Sequence, residues 1–175
     1  MFERINFPMS RVFAAVIPFL LAAFGVLLAN FPVSFLGGIL PSPLLALMPV
    51  YFWCLVRPDL MPPGAAFAIG ILEDVFSGGP PGIWALSFVA SYALVDRQRD
   101  AFAGLSGIGA ILGFAAAMLT ASGTAYVVMS IYHNHMMPLA PIVLQVAVSV
   151  LFYIPVVPVL VLVHRRLVGP LRSDF

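Results

Sequence analysis

Glu73 and Asp74 are adjacent carboxylates inside an otherwise apolar stretch of a chain that holds seven acidic side chains in 175 residues. Neighbours on a helix point about 100° apart, so the pair does not converge as an acid–base dyad would. If a helix starts near Pro63, Asp74 lies about 16 Å along it. In hydrocarbon a charge at that depth costs about 2.5–3.5 kcal/mol. Three arrangements relieve the cost: one carboxyl keeps its proton, one accepts backbone N–H bonds, or another protein supplies a cation. The segment that follows, Ser77-Gly78-Gly79-Pro80-Pro81-Gly82, reads as a helix end, a glycine turn and a proline-led start of the next helix. N–H groups at that turn or helix start suit the Asp74 carboxylate. On this reading Asp74, with Ser77, Gly78, Pro80 and Gly82, staples a helical hairpin. A docking or ligand site at Glu73 and Asp74 is the functional alternative.

The other polar groups are less specific. His133-Asn134-His135 offers two imidazoles where a catalytic zinc normally needs three protein ligands. His164-Arg165-Arg166, with Arg57, Arg97 and Arg99, suits anchoring at a membrane boundary and contact with anionic lipid. Gln145, Ser149 and Tyr153 recur at a four-residue spacing, and the stripe is expected to face Thr120 and Thr124 or a partner. Gly109, Gly113, Ala117, Ala121 and Ala125 repeat at the same spacing and form a groove for a second backbone, expected to be used within the chain. Tyr51, Trp53 and Trp84 suit a membrane interface or partner contacts. Cys54 is the single cysteine and makes no internal disulfide. No nucleophile–base pair, phosphate loop or metal-ligand cluster stands out in the sequence, so neither an enzyme nor a cofactor or metal is expected.

Residues that are 62% hydrophobic and 9% charged, against about a quarter charged in soluble domains, must be positioned by membrane helices. The net charge of +1 offers nothing to nucleic acid. Charges and Pro/Gly clusters divide the chain into six predicted helices in a single domain: 12–29, 40–56, 63–76, 82–95, 105–131 and 139–163. Pro18 in the first, and Pro155 and Pro158 in the last, are expected to bend them. The first apolar run, preceded by Arg4 and Arg11, exceeds the roughly 7–15 residues of a signal-peptide core and is expected to remain as a helix. Six spans put every basic residue on one side: Arg4 and Arg11, Arg57, Arg97 and Arg99, and Arg165, Arg166 and Arg172, with no Lys anywhere. The positive-inside bias then places both termini in the cytoplasm.

The run Gly70-Ile71-Leu72-Glu73-Asp74-Val75-Phe76-Ser77-Gly78-Gly79-Pro80-Pro81-Gly82, followed by Ala85-Leu86-Ser87, resembles the hallmark stretch of the rod shape-determining membrane protein MreD family. Pro43-Leu44-Leu45, Tyr51, Trp53 and Arg57-Pro58 resemble the second helix and exit of that family. The likeness covers roughly 41–95, and Pro81 departs from it by replacing the usual Leu. The resemblance implies an all-α, six-helix inner-membrane bundle, similar to the S-component type, and a non-enzymatic part in bacterial cell elongation. It implies MreC as the direct partner, with MreB, RodA and the elongation-specific penicillin-binding transpeptidase in the same complex. Size and helix count also resemble the vitamin-binding S components of energy-coupling factor importers, which need convergent polar groups at an outer mouth. Topology is checked by fusing to the C-terminus a reporter active only outside the cytoplasm. It is expected to stay silent, and an active fusion overturns the one-sided arginine partition.

Overall fold

The computed structural model describes residues 8–31, 41–99 and 108–168, without the side chains of 8–15. The described residues form six α-helices and no strand: α1 (Pro8–Ala29), α2 (Leu47–Val56), α3 (Pro63–Ser77), α4 (Ile83–Arg97), α5 (Ile108–His133) and α6 (Ala140–Val163). A five-residue π-turn, His164–Val168, prolongs α6. Two of these, Ile108–His133 and α6 with its extension to Val168, are long and apolar enough to cross a membrane. Arg4, the Arg11 side chain, Leu40, Leu105 and Arg172 lie outside the described residues.

α2 is apolar all round, and its first eight residues, Leu47 to Cys54, are all buried. A helix without a polar face must be enclosed, and α1, α4, α5 and α6 pack against it. α1 packs on α3, α3 on α4, α4 on α5 and α5 on α6, and the π-turn after α6 returns to α1. Tyr51 on α2 donates to Ala110 O at 3.0 Å. Its ring meets Phe114 and Tyr153 edge-on at 5.5 and 5.7 Å, and those two stack at 4.1 Å. Tyr51 and Trp53 are therefore core residues and not the interface residues expected, because the helix that carries them is the axis of the bundle. Trp84 is half-buried.

The second helix begins at Leu47, seven residues later than expected. Pro41 and Pro43 explain the delay: each lacks an N–H and disfavours helical geometry in the residue before it. The non-helical backbone at 42–44 needs partners of its own, and α6 supplies them. Ser149 Oγ accepts from Leu44 N–H at 3.0 Å, and Gln145 Nε2 donates to Ser42 O at 3.4 Å. The stripe Gln145–Ser149–Tyr153 thus faces this segment and α2 instead of Thr120 and Thr124. Those threonines satisfy themselves, donating to Ala116 O and Thr120 O one turn back. α1 comes close at the same place, since a Cβ on Gly25 would sit 3.0 Å from Ala46 Cα.

On α5, Gly113, Ala117, Ala121 and Ala125 are buried and Gly109 is half-buried. Their groove is occupied by α4, whose Ser91 Oγ donates to Ala117 O at 2.7 Å. Pro18, Pro155 and Pro158 lie within continuous helices. The described arginines collect at one end of the bundle. Phe52 meets the His164 ring at 6.2 Å. Arg57 is close enough to act on His164 electrostatically, as Asp96 and Arg99 are on Cys54. Arg57 also clamps Asp59 through two nitrogens, Nε to Oδ1 at 3.0 Å and Nη2 to Oδ2 at 2.8 Å, which holds that carboxyl below its ordinary range.

Ser149→Ala strands the Leu44 N–H in the core. It is expected to cost about 1–3 kcal/mol, read as a lower unfolding temperature of the detergent-solubilised chain. Thr120→Val, which removes a hydroxyl bonded only to its own helix, is expected to stay within about 0.5 kcal/mol of wild type.

Candidate functional site

The first turn of any helix has N–H groups with no intrahelical acceptor. α4 starts at a glycine, Gly82, which has no side chain with which to cap it. The cap comes instead from the preceding helix. Asp74 Oδ2 accepts from Gly82 N–H at 2.8 Å and Ala85 N–H at 3.2 Å, and Asp74 Oδ1 accepts from Trp84 N–H at 2.8 Å. The helix ladder then begins with Leu86 N–H donating to Gly82 O. Asp74 sits in the last turn of α3, where a negative charge opposes the helix dipole, but it faces the start of α4, where the dipole favours it.

Three glycines shape this contact. Gly78 (φ +67°) ends α3 and Gly82 (φ +97°) precedes α4, both in the left-handed region where a Cβ is strained. Gly70 lies one turn before Asp74 on the same face of α3, and there the helices nearly touch. A Cβ on Gly70 would fall 2.4 Å from Ala85 Cα and 2.7 Å from Trp84 O. Ser77 Oγ donates to Asp74 O at 3.4 Å. Pro80 is half-buried, while Ser77, Gly78, Gly79 and Pro81 are exposed at the tip of the hairpin.

Glu73 points elsewhere, toward the end of α1. Asn30 Nδ2 donates to Glu73 Oε1 at 3.0 Å and also to Val26 O at 3.0 Å. Oε2 is sealed and has no hydrogen-bond partner among the described residues. Glu73 and Asp74 are 5% and 4% exposed, so neither presents an oxygen to an incoming cation. The geometry therefore supports a structural role for Asp74, and it leaves no open ion-pair site at either acid.

The remaining candidates stay apart. His133 and His135 are exposed, with ring centroids 5.8 Å apart and Nδ1 atoms engaged with Met129 O and His133 O. No group of three or more His, Cys, Asp or Glu side chains able to hold a metal forms among the described residues. Arg57, Arg97, Arg99, Arg165 and Arg166 lie at the far end of the bundle from the hairpin tip. Sequence reasoning named Gly70 only as the first residue of the MreD-like run, with no role of its own, and did not single out Asn30. Gly70 carried a usable signal in its four-residue spacing from Asp74, whereas Asn30 meets Glu73 across 43 positions of sequence, which no local pattern encodes.

Asp74→Asn keeps one acceptor oxygen but turns an N–H₂ toward backbone donors. It is expected to destabilise the chain by about 2–3 kcal/mol, measured as a lower unfolding temperature and lower monodisperse yield. Glu73→Gln keeps an acceptor for Asn30 and removes a buried charge, so it is expected to match wild type or exceed it. Equal losses for the two variants would remove the distinction drawn between these acids. No family model, curated protein or solved structure matches this chain, so the purpose of the hairpin is argued from its own residues.

Proposed function

We propose that the chain is a six-span protein of the bacterial cytoplasmic membrane, with both termini inside, serving as a non-enzymatic scaffold of the cell-elongation machinery. MreC is the proposed direct partner, and MreB, RodA and the elongation-specific penicillin-binding transpeptidase are proposed members of the same complex. One observation carries this reading. Residues of the MreD-like run close the α3–α4 hairpin: Gly70 lies against Ala85, and Asp74 accepts from the N–H groups of Gly82 and Ala85, with a third bond from Trp84 just outside the matching residues. The likeness thus rests on residues with a physical task in this chain.

Several further features fit. α3 and α4 have 15 residues each, or about 22 Å, short of the ~30 Å hydrocarbon core. The hairpin tip then lies within or just under the outer boundary of the apolar layer. Unpaired N–H groups are costly there, and Asp74 removes that cost for three of them. The clustered arginines at the opposite end suit a cytoplasmic boundary. α1, α5 and α6 present large exposed apolar side chains, among them Phe24, Ile108, Leu119, Ile131, Val143 and Leu151. Such faces suit lipid or a partner helix. The small-residue groove of α5 is filled by α4, so α6, with Ser149, Tyr153 and Leu160 as its buried positions, is the proposed seat for a partner helix.

The S-component alternative is less well supported. The cleft at the hairpin end of the bundle has a volume of about 170 Å³, below the roughly 300–1,000 Å³ of ordinary small-molecule sites, and is too small to enclose a vitamin.

Co-expression with MreC tests the proposal. The two proteins are expected to co-purify, and Leu151→Arg on the exposed face of α6 is expected to reduce recovery of MreC at least tenfold without changing the monodispersity of the chain. Failure of wild type to retain MreC in several mild detergents overturns the binding claim.

A further inference from the structure

Pro155 and Pro158 stand inside α6, and proline has no N–H to give to the carbonyl four residues back. The carbonyls of Leu151 and Ile154 therefore lose the donor that a helix provides. Neighbouring N–H groups do not make up the loss, because those of Val156, Val157 and Val159 are matched by the same spacing to the carbonyls of Phe152, Tyr153 and Pro155. Over this stretch α6 has two more backbone acceptors than donors.

The polar side chains of α6 are turned away from the gap. Ser149 and Tyr153 are buried in the bundle, and Gln145 donates to Ser42 O. Leu151, Ile154, Pro155 and Pro158 are all exposed, so the two carbonyls belong to the outward face of the helix. An open notch of about 300 Å³ lies there, lined by Leu151, Phe152, Ile154 and Pro155. Pro155 and Arg165 are about 15 Å apart along the helix, half of the ~30 Å apolar layer. With Arg165 at the boundary, the notch lies near the middle of the bilayer, where an acceptor without a donor is costly.

Whatever covers the notch must bring a donor. Acyl chains have none. A second copy of this chain has none to bring either, among the described residues. Ser87, Thr120 and Thr124 donate to carbonyls of their own helix, and Ser91 donates across to α5. Ser122 and Ser130 are sealed, and α1 is apolar from Val16 to Ala29.

We propose that this face of α6 binds a transmembrane helix of another protein, whose side-chain N–H or O–H at mid-depth donates to the Leu151 and Ile154 carbonyls. The match is one of partial charge, two oxygens in hydrocarbon against a donor group. An asparagine amide suits it best, since its nitrogen carries two N–H bonds for two acceptors one turn apart. This deepens the α6 seat proposed above and rests on it, but not on MreC being the occupant.

The test uses the full chain in phosphatidylcholine vesicles, without MreC, with a fluorophore at its C-terminus. The probes are two labelled, lysine-flanked polyleucine helices, one with a central Asn and one with Leu there, diluted in lipid until neither self-associates. Energy transfer reads association. The Asn helix is expected to associate about fivefold more tightly than the all-Leu helix. Pro155→Ala combined with Pro158→Ala gives both carbonyls their N–H groups back on an exposed face. It is expected to fold at least as stably as wild type and to bind the two helices alike. The proposal is overturned if wild type does not prefer the Asn helix, or if the double variant keeps the preference. Energy transfer between copies of the chain that the double variant abolishes overturns it in favour of a second copy. Retention of MreC with no preference for Asn leaves the α6 seat standing and refutes the carbonyl contact. A preference for Asn without retention of MreC supports the carbonyl contact and refutes that partner.

Discussion

The fold depends on one carboxylate doing for a second helix what that helix cannot do for itself. α4 begins at Gly82 and has no side chain at its cap, so its leading N–H groups would be stranded in a buried place. Asp74 reaches them from α3 with both oxygens. The bond set works only at short range, and Gly70 supplies that range by letting the backbone at Trp84 and Ala85 approach where any Cβ would collide. Glycine and aspartate one turn apart on a single helix face are thus one device, a close approach and the cap that it makes possible. The α3–α4 hairpin positions Ser87 and Ser91 on the face that meets α5, and so passes this constraint to the rest of the bundle.

Adjacent acids have acquired opposite environments because a helix turns about 100° between them. Asp74 faces a helix start and is saturated with donors. Glu73 faces the end of α1, takes one amide bond from Asn30 and has a sealed second oxygen. Neither is open to a cation, which moves the weight of any partner recognition from charge to apolar helix faces. This agrees with a chain whose described arginines gather at one end and whose long helices α5 and α6 expose mostly aliphatic surface.

The short central helix has consequences at the other end of the bundle. Pro41 and Pro43 delay α2, and the exposed backbone of 42–44 is met by Ser149 and Gln145 across more than 100 positions of sequence. Gln145, which bonds that backbone, also lines the cleft beside Trp84. A proline pair and a polar stripe on α6 are therefore linked by one packing problem.

Much of this was legible in one dimension. Helix number, the break at 78–82 and the ends of α3, α4 and α6 followed from local chemistry, because glycine, proline and charge act on their own neighbourhood within a few residues. That Asp74 suits N–H groups at the turn or at the start of α4 was readable for the same reason, since the hairpin brings residues only eight to eleven apart together. What sequence could not decide is which apolar helix lies at the centre. α2 and α6 are both strongly apolar, and only packing made the shorter one the axis, turning Tyr51 and Trp53 inward. Nor could spacing decide what a polar stripe faces. Gln145 and Ser149 announce that a partner is needed, but hydrogen bonds are satisfied wherever tertiary contact places a donor or acceptor, and here that was a proline-broken backbone instead of threonines that had already bonded to their own helix.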